Sequence, residues 1–126
     1  MGHLNILFIG LGGALGALSR YLVSGWVTNR FQHFFPYGTL VVNITGCFLL
    51  GFFYSYTLER NVLHDYLRVF ITIGFLGAFT TFSTFSLEIL NLIKSNNLKT
   101  ALIYIGVSVI IGLFAVWLGA SLEKYI

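Results

Sequence analysis

The chain has 126 residues, 57% of them hydrophobic and 9% charged, with a mean hydropathy of +0.88. A soluble domain carries about a quarter of its residues as charges, so this composition excludes an ordinary soluble globular fold and marks an integral membrane protein. The net charge of +3 comes from Lys and Arg near helix ends, the pattern of membrane edges rather than of a nucleic-acid-binding surface.

About 20 apolar residues cross a bilayer, and the sequence predicts spans at 4–29, 37–58, 67–93 and 99–122, an all-α single transmembrane domain over 1–126. The first stretch lacks a basic leader region and is too long for a signal segment, so it is expected to be a retained helix. Gly12, Gly16 and Ser19 make a small-residue stripe for close helix contact. Arg20 lies several residues inside this span, where a charge must either snorkel, with Trp26 and Arg30, or face a water-filled vestibule that attracts anions.

Pro36 suits the entry to the second span, since its missing N–H would be unpaired there anyway. Thr39, Asn43 and Gly46 or Cys47 share one face of it. A lone amide in hydrocarbon needs a partner, so Asn43 is either interhelical glue or an N–H offered to a passing anion. Cys47, the only cysteine, is expected as a small packing residue. His3, His33 and His64 fall at the N-terminus and in connections, and are expected to be solvated rather than ligands.

The third span is anomalous. Gly74-Phe75-Leu76-Gly77-Ala78-Phe79-Thr80-Thr81-Phe82-Ser83-Thr84-Phe85-Ser86 puts glycines, hydroxyls and phenylalanines in the middle of an apolar segment. Gly74 and Gly77 weaken the helix, Thr80 and Thr81 are β-branched, and an opened helix here would expose carbonyls to an ion or its path. Beyond it, Phe82 and Phe85 share a face, as do Thr81, Thr84 and Glu88. In the fourth span Tyr104 and Ser108 stand four apart on one face, and Gly106, Gly112 and Gly119 are expected as packing positions.

With four spans, Arg60, Arg68 and Lys124 fall on one side of the membrane and Arg30, Lys94 and Lys99 on the other, three against three with Arg20 set aside. Orientation follows Lys/Arg asymmetry in short loops, and a balanced count predicts insertion both ways, hence an antiparallel dual-topology homodimer that does the work of an inverted repeat. The alternative is a single orientation fixed by Arg20. No nucleophile–base arrangement, carboxylate pair, cysteine–histidine cluster or nucleotide-binding sequence is present, so the chain reads as a non-enzyme.

Gly12-Gly13-Ala14-Leu15-Gly16 with Arg20, Gly38 through Gly46 around Asn43, and above all Gly77 through Ser86 resemble the small bacterial fluoride channels of the Fluc (CrcB) family, in the family's order and over essentially the whole chain. Ala78 departs from the pattern, standing where many members carry a second glycine. The resemblance implies four-helix subunits with a third helix broken near the bilayer midplane, paired antiparallel in the bacterial inner membrane, with two passive fluoride pathways per dimer. It implies a structural sodium ion on the two-fold centre, held by the backbone carbonyls of Gly77 and Thr80. It also implies a fluoride path lined by Phe82 and Phe85 with Asn43, Thr81, Thr84, Tyr104 and Ser108, and with Arg20 at the vestibule. The rival expectations are a small dual-topology proton-coupled multidrug transporter, which lacks its carboxylate in the first span, and a non-transporting helical bundle.

Overall fold

The protein was analysed as a computed structural model that describes residues 2–126. Its elements are α1 (His3–Phe31), α2 (Tyr37–Arg60), α3 (Asp65–Val69), a π-helical segment (Phe70–Leu76), α4 (Gly77–Phe79), α5 (Phe82–Lys94), α6 (Leu98–Leu122) and a 3-10 turn (Glu123–Tyr125). Four helical stretches are long and apolar enough to cross a membrane: His3–Phe31, Tyr37–Arg60, Asp65–Lys94 and Leu98–Tyr125. There is no strand among the described residues.

The helix ends follow from local chemistry. Gln32 and Asn61 adopt left-handed angles (φ 39 and 48), and their N–H groups bond back to the Thr28 and Thr57 carbonyls, closing α1 and α2. Such a residue satisfies carbonyls that the helix end would otherwise strand. Most apolar side chains outside the small core remain exposed on the chain, among them Leu22, Ile110 and Leu113; on membrane-spanning helices such a surface faces lipid.

Close packing comes from glycine. α2 packs most extensively on α6, and α1 packs on the π-helical segment and α4. A Cβ at Gly16 would collide with the Phe75 carbonyl, and one at Gly12 with the Phe70 carbonyl. Across the second contact, a Cβ at Gly51 would strike the Val116 carbonyl and one at Gly119 the Phe48 carbonyl. The small-residue stripe of the first span therefore serves contact with the third, where backbones touch. Gly74 belongs to the same contact, its Cβ position lying 3.1 Å from the Gly12 Cα.

The tie between α2 and the chain's end is polar. Arg60 Nε donates to Glu123 Oε1 at 3.0 Å, with the guanidinium 5.2 Å from the Tyr56 ring centre. Glu123 is buried.

The glycine contacts generate a stability prediction. Gly16→Ala and Gly119→Ala should each destabilise the protein by about 1–3 kcal/mol, because backbone must move to admit the methyl group. Gly106→Ala, where nothing lies within 4 Å, should be near neutral. Thermal unfolding of the purified variants in one detergent measures the difference, and equal melting temperatures for all three would contradict the contact.

Candidate functional site

Between α4 and α5 the backbone leaves helical angles for two residues: Thr80 at φ −87, ψ 157 and Thr81 at φ −150, ψ 118. Asn43 of α2 spans this joint. Its Oδ1 accepts from the Thr81 N–H at 2.7 Å, and its Nδ2 donates to the Thr81 carbonyl at 3.0 Å. One primary amide thus satisfies both backbone groups of a residue that has left the helix, which asparagine achieves because it carries donor and acceptor side by side. The Thr81 hydroxyl in turn accepts from the Thr84 N–H at 3.2 Å and caps α5. Thr81 is therefore a cap rather than a member of the helical face with Thr84 and Glu88 that its spacing predicts.

The carbonyls around the joint divide into two groups. Leu76 accepts from the Thr80 N–H and hydroxyl, both at 3.1 Å, and Ala78 accepts from Arg20 Nε at 3.0 Å. The Gly77, Phe79 and Thr80 carbonyls receive no donor among the described residues. Gly77 itself is exposed on the chain. Oxygens of this kind fit a hard cation such as sodium. No group of three His, Cys, Asp or Glu side chains able to hold a metal occurs among the described residues, so a cation at the joint would rest on backbone.

Beside the joint lies an open cavity of about 280 Å³, lined by Asn43, Cys47, Thr80, Thr81, Phe82, Phe85 and Ser108 among others. The two rings sit 5.8 Å apart, yet differ in setting: Phe82 is 79% exposed and Phe85 only 8%. Phe85 meets Tyr104 nearly edge-on, at 5.0 Å and 66°, an orientation that the ring quadrupole favours. The Ser108 hydroxyl is shielded and has no partner among the described residues.

Behind Phe85 stands a carboxylate. Thr39 Oγ1 donates to Glu88 Oε1 at 2.6 Å, and Tyr104 OH donates to Glu88 Oε2 at 2.7 Å. Tyr104 is fully buried and Thr39 nearly so. These two donors tie α5 to α2 and α6. On its far side Glu88 lines a second open cavity of about 290 Å³ with Asn91, Ser95 and Asn97.

Of the residues singled out by sequence, the first cavity gathers Asn43, Thr80, Thr81, Phe82, Phe85 and Ser108. Tyr104 lies one layer back against Phe85 and Glu88. Thr84, Gly77 and Arg20 do not line that cavity; Arg20 gives its Nε–H to the Ala78 carbonyl. Glu88 was assigned no role by its spacing. The available signal was that Thr39, one turn before Asn43, and Tyr104, one turn before Ser108, offer hydroxyls from both neighbouring spans.

A family model described as "CrcB-like protein, Camphor Resistance (CrcB)" matches residues 7–120. The chain is 50% identical over 122 residues to a protein of Hahella chejuensis named "Fluoride-specific ion channel FluC", covering 97% of this chain and 96% of that one. Proteins with the same name from Campylobacter lari and Geotalea daltonii are 48% and 46% identical, over 95% and 97% of this chain and 98% of each of theirs.

The Asn43 clamp predicts a specific cost. Asn43→Ala leaves two backbone groups of Thr81 without partners, at about 1–3 kcal/mol each, and should lower the melting temperature in detergent well beyond the effect of Cys47→Ala one turn away. Equal melting temperatures for the two variants would remove the clamp from the account.

Proposed function

The chain belongs to the CrcB family, and on that premise we propose that it is a fluoride-specific channel that lets cytoplasmic fluoride leave a bacterial cell passively. The observation that carries this reading is the joint at Thr80–Thr81, which Asn43 holds open beside a cavity shared by Phe82, Phe85 and Ser108. Relatives bearing the fluoride-channel name over nearly the whole chain support the same ion.

Fluoride is small and holds water strongly, so a path for it must replace hydration without binding too tightly. Ring edges are weakly positive, and Phe82 and Phe85 supply them at successive points. The Asn43 amide has a second N–H beyond the one given to Thr81, and the Ser108 hydroxyl is uncommitted. The first turn of α5 starts at the cavity, and a helix N-terminus favours negative charge. Thr81, Thr84 and Tyr104 act from the cap and the second layer. The Glu88 carboxyl group accepts from Thr39 and Tyr104 and lines the second cavity rather than the one shared by the rings.

The working unit in this proposal is an antiparallel dual-topology homodimer with a third helix broken near the midplane and two pathways. Three observations support it: the balanced charge count, the 79% exposure of Phe82 on the chain, and a cavity with an open side. A second subunit would supply the missing wall. The Gly77 and Thr80 carbonyls of both subunits would then hold a sodium ion on the two-fold axis, whose charge supplies a fixed positive field in a low-dielectric region.

No energy source is required. Hydrogen fluoride enters neutral and dissociates inside, and an inside-negative potential drives the anion out by about 2.3 kcal/mol per 100 mV. The proton-coupled drug exporter is disfavoured, since α1 carries no Asp or Glu and both Glu88 oxygens already accept a hydrogen bond.

The test is fluoride-electrode efflux from liposomes holding the purified protein, with chloride as the control ion. The wild-type chain should release fluoride and not chloride; absence of fluoride flux would overturn the channel. Phe82→Ile and Phe85→Ile should each reduce fluoride efflux by tenfold or more (about 1.4 kcal/mol on the barrier) with the assembly intact by size exclusion. Wild-type rates in both variants would remove the rings from the path. Asn43→Asp should also slow efflux at neutral pH, because an ionised carboxylate repels the anion and cannot donate to Thr81.

A further inference from the structure

The Arg20 contact points beyond both roles that its position in α1 suggests. Its guanidinium neither reaches Trp26 and Arg30 nor lines the ring cavity; Nε donates to the Ala78 carbonyl at 3.0 Å. Ala78 is the penultimate residue of the helical run that ends at Phe79, and this end carries the negative pole of the helix dipole. It sits between Gly77 and Thr80, within a single turn of about 5.4 Å pitch. Arginine stays charged at any accessible pH.

We propose that Arg20 is a positioning and selectivity residue for the cation held by the Gly77 and Thr80 carbonyls. It takes the Ala78 oxygen out of that cation's reach, and its fixed charge weakens cation binding at the same helix end. The inference rests on the sodium site proposed above. In an antiparallel pair each subunit would contribute one guanidinium, so a bound ion would be flanked by two like charges. A divalent ion would meet twice the repulsion of a monovalent one on top of a steeper dehydration cost, which favours monovalent ions at the joint without any change in its oxygen ligands.

Substituting Arg20 removes one unit charge from each subunit, and two such charges several ångströms away, at an effective dielectric constant of about 20, are worth well over tenfold in affinity. The experiment follows the melting temperature of the purified full-length protein in detergent against sodium chloride, with N-methylglucamine chloride holding ionic strength constant. The readout is the sodium concentration at half-maximal stabilisation. Loss of a purely structural tie would lower the melting temperature at every sodium concentration and leave that midpoint in place.

Arg20→Gln should move the midpoint down by at least about tenfold, and Arg20→Lys, which keeps the charge, should stay within about twofold of wild type. An unchanged or higher midpoint in Arg20→Gln, with a clear sodium response, overturns the proposal. If Arg20→Gln does not fold, calcium titration of the wild type decides: no stabilisation at concentrations where sodium saturates is expected, and stabilisation equal to that by sodium overturns it. A wild-type protein indifferent to sodium overturns this inference together with the sodium site, whereas the fluoride reading is judged separately by efflux.

Discussion

The reciprocal bond between Asn43 and Thr81 is the constraint on which the site depends. A backbone that leaves helical geometry inside a membrane protein strands an N–H and a carbonyl, and hydrocarbon offers neither a partner. Asn43 supplies both from one side chain, at 2.7 and 3.0 Å. Once the joint is secured, the rest follows from geometry. α5 restarts with Thr81 as its cap, Phe82 and Phe85 border the cavity beside α2, and the Gly77, Phe79 and Thr80 carbonyls have no donor among the described residues. A hydrophobic residue at position 43 would put pressure on the chain to resume the helix, and the cavity would close.

This constraint only works because the neighbouring helices are held at fixed distances. α1 meets the third helical stretch through Gly12, Gly16 and Gly74, where backbone touches backbone. That contact brings Arg20 within reach of Ala78. α2 meets α6 through Gly51 and Gly119, and α6 meets α5 through the Tyr104–Glu88 bond. In lipid, where no hydrophobic force drives helices together, such close approach lets dispersion and polar bonds hold the bundle. The glycines and the polar residues are thus two parts of one arrangement: the first set spacing, the second use it.

The helical spans were legible from hydropathy alone, with ends within a few residues, because lipid demands long apolar helices and little else. Gly74, Gly77 and the threonines set the third span apart in the sequence, but neither its π-helical turn nor the partner of Asn43 could be read there. The π-helical turn at Phe70–Leu76 lies beside the contact of Gly12 with Gly74, residues 62 apart that no local pattern links. Asn43 was visible as a costly amide, yet its partner was a backbone group, and backbone carries no sequence signature. Glu88 drew no role from its spacing for a related reason: its partners, Thr39 and Tyr104, lie on two other helices. Arg20 likewise admitted two fates by position, and its Nε–H bond to a backbone carbonyl carries no sequence signature either.

The same joint explains why a single copy is an incomplete machine in the proposed mechanism. Asn43 satisfies one residue of the opened backbone, Arg20 satisfies another, and the Gly77, Phe79 and Thr80 oxygens are left over. Adding further side-chain donors would quiet those oxygens but would also fill the space that an ion needs. A cation shared with a second, inverted copy resolves the conflict at no cost in room, since one ion serves the carbonyls of both chains. That pairing would also place a wall against Phe82, the ring that the lone subunit leaves bare. The charge that quiets the carbonyls would be the charge that draws an anion toward the rings, so assembly and conduction would share one electrostatic cause. Arg20, in the inference drawn above, would temper that field: one guanidinium from each subunit would loosen the hold on the cation and discourage a second positive charge that could trap fluoride in the path.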